Sequence, residues 1–305
     1  MQSIIVSGTS TGGVSSEVKP TTYCLPNERI VSKLSFKQLL HFLTFLYALI
    51  TTSQYTPVVV NYNGIMVDFK CMLISELSVF FPVYNVEEQI ENTITNAYKI
   101  IPKLYDNYEI IAVEDGSRDN TKILLEELKS KYKDLKIIYH PKNRGYGAAL
   151  KSGFYSARFD WIAFTDSDGQ FDIAELPKLI NKQKETGADI VAGYYLKRAV
   201  SPVRKLNTWL WQLVVRILFG LRVRDIDCGF KLVSKEVIDK IPKLQSERGA
   251  FVSSELLIKA QKKGFKIVET GVHHYPRTEG KGTGANLNVI VKSFIDLFKL
   301  WKDLR

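Results

Sequence analysis

The run Trp161-Ile162-Ala163-Phe164-Thr165-Asp166-Ser167-Asp168-Gly169-Gln170-Phe171-Asp172 decides how this chain folds. Four apolar or aromatic residues lead straight into two carboxylates spaced by one residue, then a glycine. This is the pattern of a buried strand delivering two acids at its carboxyl end, where open α/β sheets place their ligands. Two hard oxygen ligands so close together, with room for water and phosphate, suit Mg²⁺ or Mn²⁺ bound to a diphosphate. Asp172 reads as the cap of the next helix rather than a third ligand.

The same alternation extends on both sides of this run. Leu77–Val83 reads as a strand, and residues 87–101 carry Ile90, Ile94, Ala97 and Ile101 at helical spacing. Tyr108–Val113 is a second strand, followed by Asp115-Gly116-Ser117 and a helix with Leu124, Leu128 and Tyr132 on one face. Leu135–Tyr139 is a third, with a glycine-bearing helix start over Gly145–Gly153. After Trp161–Phe164, residues 172–185 place Ile173, Leu176 and Ile180 on a helical face, and Asp189–Gly193 is a fifth strand. Strands alternating with helices predict an α/β protein with a mostly parallel sheet covered on both faces.

A net charge of +10 over 305 residues calls for an anionic partner. Nucleic acid is the default for a basic protein, but no zinc-finger, RNP-like or helix-turn-helix signature is present, so it is set aside. Cys24, Cys71 and Cys228 are scattered and odd in number, which fits neither a disulfide framework nor metal-ligand spacing. Phosphorylated substrates and anionic lipid headgroups remain.

Residues 1–72 read as an N-terminal extension. The first 35 are rich in Ser, Thr and Gly without periodicity, which predicts a disordered tail. The apolar segment Leu39–Ile50 is shorter than the roughly 20 residues that span a bilayer. It reads as a membrane-dipping helix, or as part of an extension or over-long start ahead of Met72. A catalytic domain is expected over residues 73–285. Residues 205–221, rich in tryptophan and leucine and bracketed by Arg204, Arg222 and Arg224, read as a helix that could lie in a membrane interface or dock on the core, and docking is expected. Residues 286–305 carry Leu287, Ile290, Val291, Phe294, Leu297, Phe298, Trp301 and Leu304 on one face, with Lys292, Lys299, Lys302 and Arg305 opposite. That pattern predicts an amphipathic helix at a membrane surface.

The strand ends share a chemistry. After the first, Pro82-Val83-Tyr84-Asn85-Val86-Glu87-Glu88 offers Asn85 as a helix cap, two glutamates for the helix's positive end, and Tyr84 for stacking on a base. After the second, Glu114 and Asp115 are left unexplained by capping, which falls to Asp119 or Asn120; a carboxylate here could accept from a base's ring N–H. Asn143–Gly153 sets small residues where backbone approaches something closely, a weak phosphate signal by itself. Three strand ends presenting polar or acidic groups to one sheet edge argue for a single ligand site.

Taken in order, PVYNVEE, VEDGSRDNT, NRGYGAALKSGF, DSDGQFD and DIDCGFKLVSKE resemble the inverting family-2 glycosyltransferases of GT-A (Rossmann-like) fold. The branch that the chain resembles most is that of dolichyl- and polyprenyl-phosphate sugar synthases, such as dolichol-phosphate mannosyltransferases. The likeness spans about residues 75–285. It implies a metal-dependent transfer of a hexose from a nucleoside diphosphate sugar to a polyprenyl (dolichyl-type) phosphate at the cytoplasmic membrane face. It implies that Pro82, Tyr84, Glu87 or Glu88, Glu114 and Asp115 line the nucleotide pocket, with Gly145, Lys151 and Gln170 toward the nucleotide sugar. Asp166 and Asp168 match the metal-holding DxD pair. Arg198 and Arg204 lie where relatives bring charge to the acceptor phosphate. Asp225, Asp227, Gly229 and Phe230 match a segment beside the acceptor, and Glu255 an acid close to it. In His274–Gly282, Arg277 and Lys281 match a loop that clamps the diphosphate, while His273 and His274 read as surface imidazoles.

A phosphate acceptor is already ionised near neutrality, its second pKa lying at about 6, and needs little help from a base. A saccharide or lipid hydroxyl acceptor, the alternative, requires one, and Asp227 or Glu255 would be the candidates. A soluble sugar nucleotidyltransferase and a non-catalytic nucleotide- or membrane-binding module are the remaining readings. A membrane-anchored protein partner is a further possibility that the short apolar segments leave open.

Overall fold

The computed structural model describes residues 59–62, 65–68, 76–197, 202–247, 251–276 and 287–304. The chain divides into two units, residues 1–72 and 73–305. In the first, β1 (Val59–Tyr62) and β2 (Ile65–Asp68) pair antiparallel, Val59 facing Asp68 and Tyr62 facing Ile65. The expected tail and the apolar segment Leu39–Ile50 lie outside the described residues.

The second unit alternates as expected through its first half. It runs β3 (Glu76–Val83), α1 (Ile90–Ile100), β4 (Asn107–Glu114), α2 (Thr121–Lys131), β5 (Lys136–Tyr139), α3 (Tyr146–Ser156), β6 (Trp161–Phe164), α4 (Leu176–Thr186) and β7 (Ile190–Tyr195). It continues with α5 (Pro202–Phe219), β8 (Lys231–Ser234), α6 (Lys235–Lys240), α7 (Phe251–Lys262), β9 (Ile267–Val272) and α8 (Leu287–Asp303). The strands form one sheet in the order β5-β4-β3-β6-β8-β7-β9. All neighbours are parallel except β8, which runs antiparallel to both β6 and β7.

Leu77, Val79, Phe80, Phe81 and Val83 of β3 are all buried, as are the four residues of β6. A central strand covered on both faces has no polar face to show, hence its apolar run, interrupted only by Ser78, whose buried hydroxyl donates to Glu109 Oε1 at 2.7 Å. Phe80, Phe154 and Phe164 pack with ring centroids 5.0–5.3 Å apart, tying α3 to the middle of the sheet. On α2 the buried face is Thr121, Leu125 and Leu128, one position round from the expected Leu124 stripe. Tyr132 instead stacks on Tyr98, 4.0 Å between centroids.

The apolar helix α5 docks through Val215 and Phe219, with Trp211, Val214 and Leu218 partly buried beside them. Its other side leaves Trp209, Leu210, Leu213 and Ile217 exposed. The C-terminal α8 docks through Leu297 and Leu300, and its Phe294 meets Trp211 edge-on at 5.2 Å. Ile295 and Phe298 remain exposed. Thus both helices pack on the core and both keep an uncovered apolar row.

Candidate active site

The chain leaves β3 toward β4 on one side and returns through β6 on the other, so the crevice beyond these carboxyl ends is the topological switch point of the sheet. Its two lips are joined directly. Ser167 Oγ donates to the Pro82 carbonyl at 2.6 Å, and Thr93 Oγ1 to the Ser167 carbonyl at 3.4 Å. Pro82 is therefore a wall of the crevice, while Tyr84, 39% exposed, stands at its rim.

The loops after β3 and β4 are laced together. Asn85 does not cap α1: it adopts φ 51°, and its Oδ1 accepts from Arg118 N at 2.8 Å. Asp119 Oδ2 accepts from Glu87 N, and Glu87 Oε2 from Asn120 N. Glu88 is exposed beside them. Glu114 accepts from Ser117 N and closes its own turn. Gly116 at the apex has φ +70°, and a Cβ there would lie 2.5 Å from the backbone of Lys142 and Asn143. Only glycine satisfies both constraints.

Asp115 is held by partners within the protein. It is 2% exposed; Oδ2 accepts from Gly145 N at 2.7 Å, and Oδ1 from Arg144 N at 2.9 Å and His140 Nδ1 at 2.6 Å. His140 Nε2 meets Ser152 Oγ at 2.9 Å. Asp115 therefore anchors the glycine loop that opens α3.

The two acids after β6 are half-buried. Tyr146 Oη donates to Asp166 Oδ1 at 2.7 Å. Burial, then the Asp166 carboxylate, push the Tyr146 phenol well above its ordinary range, so it stays a donor. Gly229 lies against the other side: a Cβ there would sit 2.1 Å from Asp166 Oδ2. The segment holding Asp225 and Asp227 is thereby brought to the first acid of the pair. Asp168 Oδ1 accepts from Gln170 N at 3.1 Å. Gln170 is in turn clasped to Tyr275, through Gln170 Nε2 to the Tyr275 carbonyl at 3.3 Å and Tyr275 N to the Gln170 carbonyl at 2.9 Å. Asp172 caps the turn that follows, as expected, accepting from Ala174 N.

Two expected site residues have other work. Glu255 is 1% exposed on α7 and accepts from Gln245 N, Ser246 N and Lys259 Nζ, so it anchors residues 245–246. Lys151 Nζ binds Glu247 Oε1 at 3.0 Å and the Gln245 carbonyl at 3.3 Å. Arg144 also pairs with Glu247, so the 245–247 segment and the glycine loop hold each other. Arg198, Arg277 and Lys281 lie outside the described residues, and Arg204 is described only as backbone of α5. Of the two histidines, His273 pairs with Glu175, and His274 packs edge-on to Phe171 and Tyr195. Among the described residues, no group of three or more His, Cys, Asp or Glu is set to hold a metal by itself.

The glycosyl transferase family 2 profile matches residues 78–241, more than half of the chain. The chain belongs to glycosyl transferase family 2. Family 2 relatives include a dolichyl-phosphate beta-glucosyltransferase of Saccharomyces cerevisiae, 31% identical over 75% of this chain and 72% of that one. Another is an undecaprenyl-phosphate 4-deoxy-4-formamido-L-arabinose transferase of Pseudomonas fluorescens, 30% identical over 72% of this chain and 62% of that one. The chain spans as little as 34% of the length of the relatives it matches. The fold is shared with glucosyl-3-phosphoglycerate synthase from Mycobacterium tuberculosis, crystallised with Mn²⁺, UDP-glucose and phosphoglyceric acid. The TM-score is 0.55 at 19% identity, covering 77% of this chain and 81% of that one.

Sequence reasoning missed His140 and Tyr146. Tyr146 lies within the NRGYGAALKSGF stretch, but its partner lies 20 positions away and no local pattern announces it.

Proposed function

We propose that this protein transfers a hexose from a nucleoside diphosphate sugar to a polyprenyl phosphate of the dolichyl type, inverting the anomeric centre, at the cytoplasmic surface of a membrane. The observation that carries the reading is the placing of Asp166 and Asp168 at the switch point, between the Pro82 wall and the Asp225–Gly229 segment. Two carboxylates without a third protein ligand among the described residues fit Mg²⁺ or Mn²⁺, which take one or two carboxylates and complete their shell from substrate phosphates and water. When bound, the ion supplies Lewis-acid stabilisation of the leaving diphosphate.

The chain's own groups do the rest. Pro82 and Tyr84 offer a wall and a stacking face to the base. The loop that Asp115 holds brings Gly145 backbone toward the sugar nucleotide, and Tyr146 orients Asp166. Arg198 and Arg204 would meet the acceptor phosphate, and Arg277 and Lys281 the diphosphate. With Glu255 committed to the 245–246 backbone, Asp227 is the remaining candidate base, and a phosphate monoester, which needs little help from one, suits the site. The names of the yeast and Pseudomonas relatives support the same acceptor class. Family 2 membership favours glycosyl transfer over nucleotidyl transfer.

The membrane part of the proposal rests on α5 and α8. Among the described residues no helix is long and apolar enough to cross a bilayer. Trp209, Leu210, Leu213 and Ile217 on α5, with Ile295 and Phe298 on α8, are exposed beside Arg216, Lys299 and Lys302. Such a surface suits the headgroup boundary of an anionic leaflet. The test is a donor panel: labelled UDP- and GDP-hexoses with Mg²⁺ or Mn²⁺ and polyprenyl phosphate in anionic vesicles. Chelator-sensitive label in the organic phase is expected for one donor. Label passing only to a saccharide acceptor would replace the lipid phosphate with the hydroxyl alternative.

A further inference from the structure

Directly behind the acidic edge lies a lysine with no solvent contact at all. Lys231 opens β8 opposite Phe164 of β6 and is 0% exposed. Lysines are almost never fully buried unless something holds them, because taking the charged amine out of water carries a heavy desolvation cost. Here Nζ donates to the Ile226 carbonyl at 3.2 Å and to the Cys228 carbonyl, and it stands 5.6 Å from the centre of the Phe164 ring. Burial lowers its pKa, while Cys228, Asp227, Asp225 and Asp166 act in the opposite sense.

Both carbonyls belong to the segment that carries Asp225, Asp227 and Gly229. The rest of that segment is tied down separately: Glu269 Oε1 accepts from Arg224 N and Asp225 N, Asp225 Oδ1 from Asp227 N, and the Phe230 carbonyl from Gly193 N. The bend between Ile226 and Gly229 is curled around Nζ, and its far end is the glycine lying on the Asp166 carboxylate. An apolar side chain of the same length would fill the space but leave two buried carbonyls without this donor.

We propose that Lys231 is a positioning residue, which holds the Ile226–Gly229 bend against Asp166 and so sets the geometry of the first acid of the pair. The link to turnover rests on the reading of Asp166 as part of the donor site. The holding of the bend does not.

The experiment uses the full chain and the variant Lys231→Met, with Lys231→Gln, which keeps a shortened donor, as the second variant if the first fails to fold. Iodoacetamide labelling of the native protein is followed by peptide mapping, which separates Cys228 from Cys24 and Cys71. The Cys228 side chain is 0% exposed in the wild type, so it labels slowly. The variant is expected to label Cys228 at least about tenfold faster, with a melting temperature still well above that of the assay. It should also need about tenfold more Mn²⁺ for half-maximal transfer. Wild-type labelling of Cys228 would overturn the proposal. Faster labelling with unchanged Mn²⁺ dependence would remove the positioning role in turnover. If the wild type transfers no sugar from any donor, the functional reading fails, and the labelling rate still decides whether Lys231 holds the bend.

Discussion

Tyr146 Oη donates to Asp166 Oδ1 across 2.7 Å, so the first residue of α3 orients the first acid beyond β6. A hydrogen bond to a charged group is worth about 1.5–3 kcal/mol. Tyr146→Phe should keep the fold and raise the Mn²⁺ concentration for half-maximal transfer by about tenfold or more. Metal titration of turnover, beside a thermal melt, checks it; an unchanged metal requirement would mean that Asp166 does not depend on this contact.

Gly229 touches the same carboxylate from the other side. A methyl group 2.1 Å from Asp166 Oδ2 has no room, so Gly229→Ala must move either the acid or the bend. Overpacking of this kind costs about 1–3 kcal/mol. The expected result is a lowered melting temperature together with loss of nearly all transfer. Full activity in this variant would show that the Asp225–Gly229 segment does not sit on Asp166 in the working enzyme.

Asp115 accepts from two backbone N–H groups and His140 within a buried loop. Asp115→Asn replaces one acceptor oxygen by a donor and leaves at least one N–H of the Arg144-Gly145 turn unsatisfied, at a cost of about 1–3 kcal/mol. Stability should fall and, if the proposed donor site is right, KM for the nucleotide sugar should rise. Unfolding in urea and donor kinetics test both halves. A raised KM with unchanged stability would return Asp115 to direct nucleotide contact.

Glu175 gives the pH dependence. Burial alone would raise its carboxyl, but hydrogen bonds from His273 and Lys178 outweigh that effect and hold it below its ordinary value. A folded-state pKa below the unfolded value of about 4.3 contributes stability that is present above that pH and lost as pH falls through the folded value. The stability difference between wild type and Glu175→Gln should therefore be largest near neutrality and close as the pH falls below about 4. Parallel curves from pH 7 to 3 would contradict the ion-paired state.

What was legible in the amino-acid sequence follows from burial. β3, β4 and β6 are covered on both faces, so their apolar runs stand out, and the acids that end them are conspicuous by contrast. β8 was not legible, because its four residues begin with a buried lysine whose reason lies in the bend before it. β9 runs half-exposed along the sheet edge and shows no clean alternation. The roles of His140 and Tyr146 depend on partners 25 and 20 positions away, brought close only when the sheet assembles. Glu255 was singled out by resemblance alone, and its partners in the 245–246 backbone, about ten positions back, could not be read from the sequence.

The most direct measurement compares the wild type with Asp168→Ala in one assay: labelled nucleotide sugar, Mn²⁺ and polyprenyl phosphate in vesicles, read as label entering the organic phase. The account predicts chelator-sensitive transfer by the wild type and at least a hundredfold loss in the variant, whose melting temperature stays close to that of the wild type. Near-normal transfer by Asp168→Ala, or transfer by the wild type that ignores the chelator, would contradict a donor–metal centre at Asp166 and Asp168.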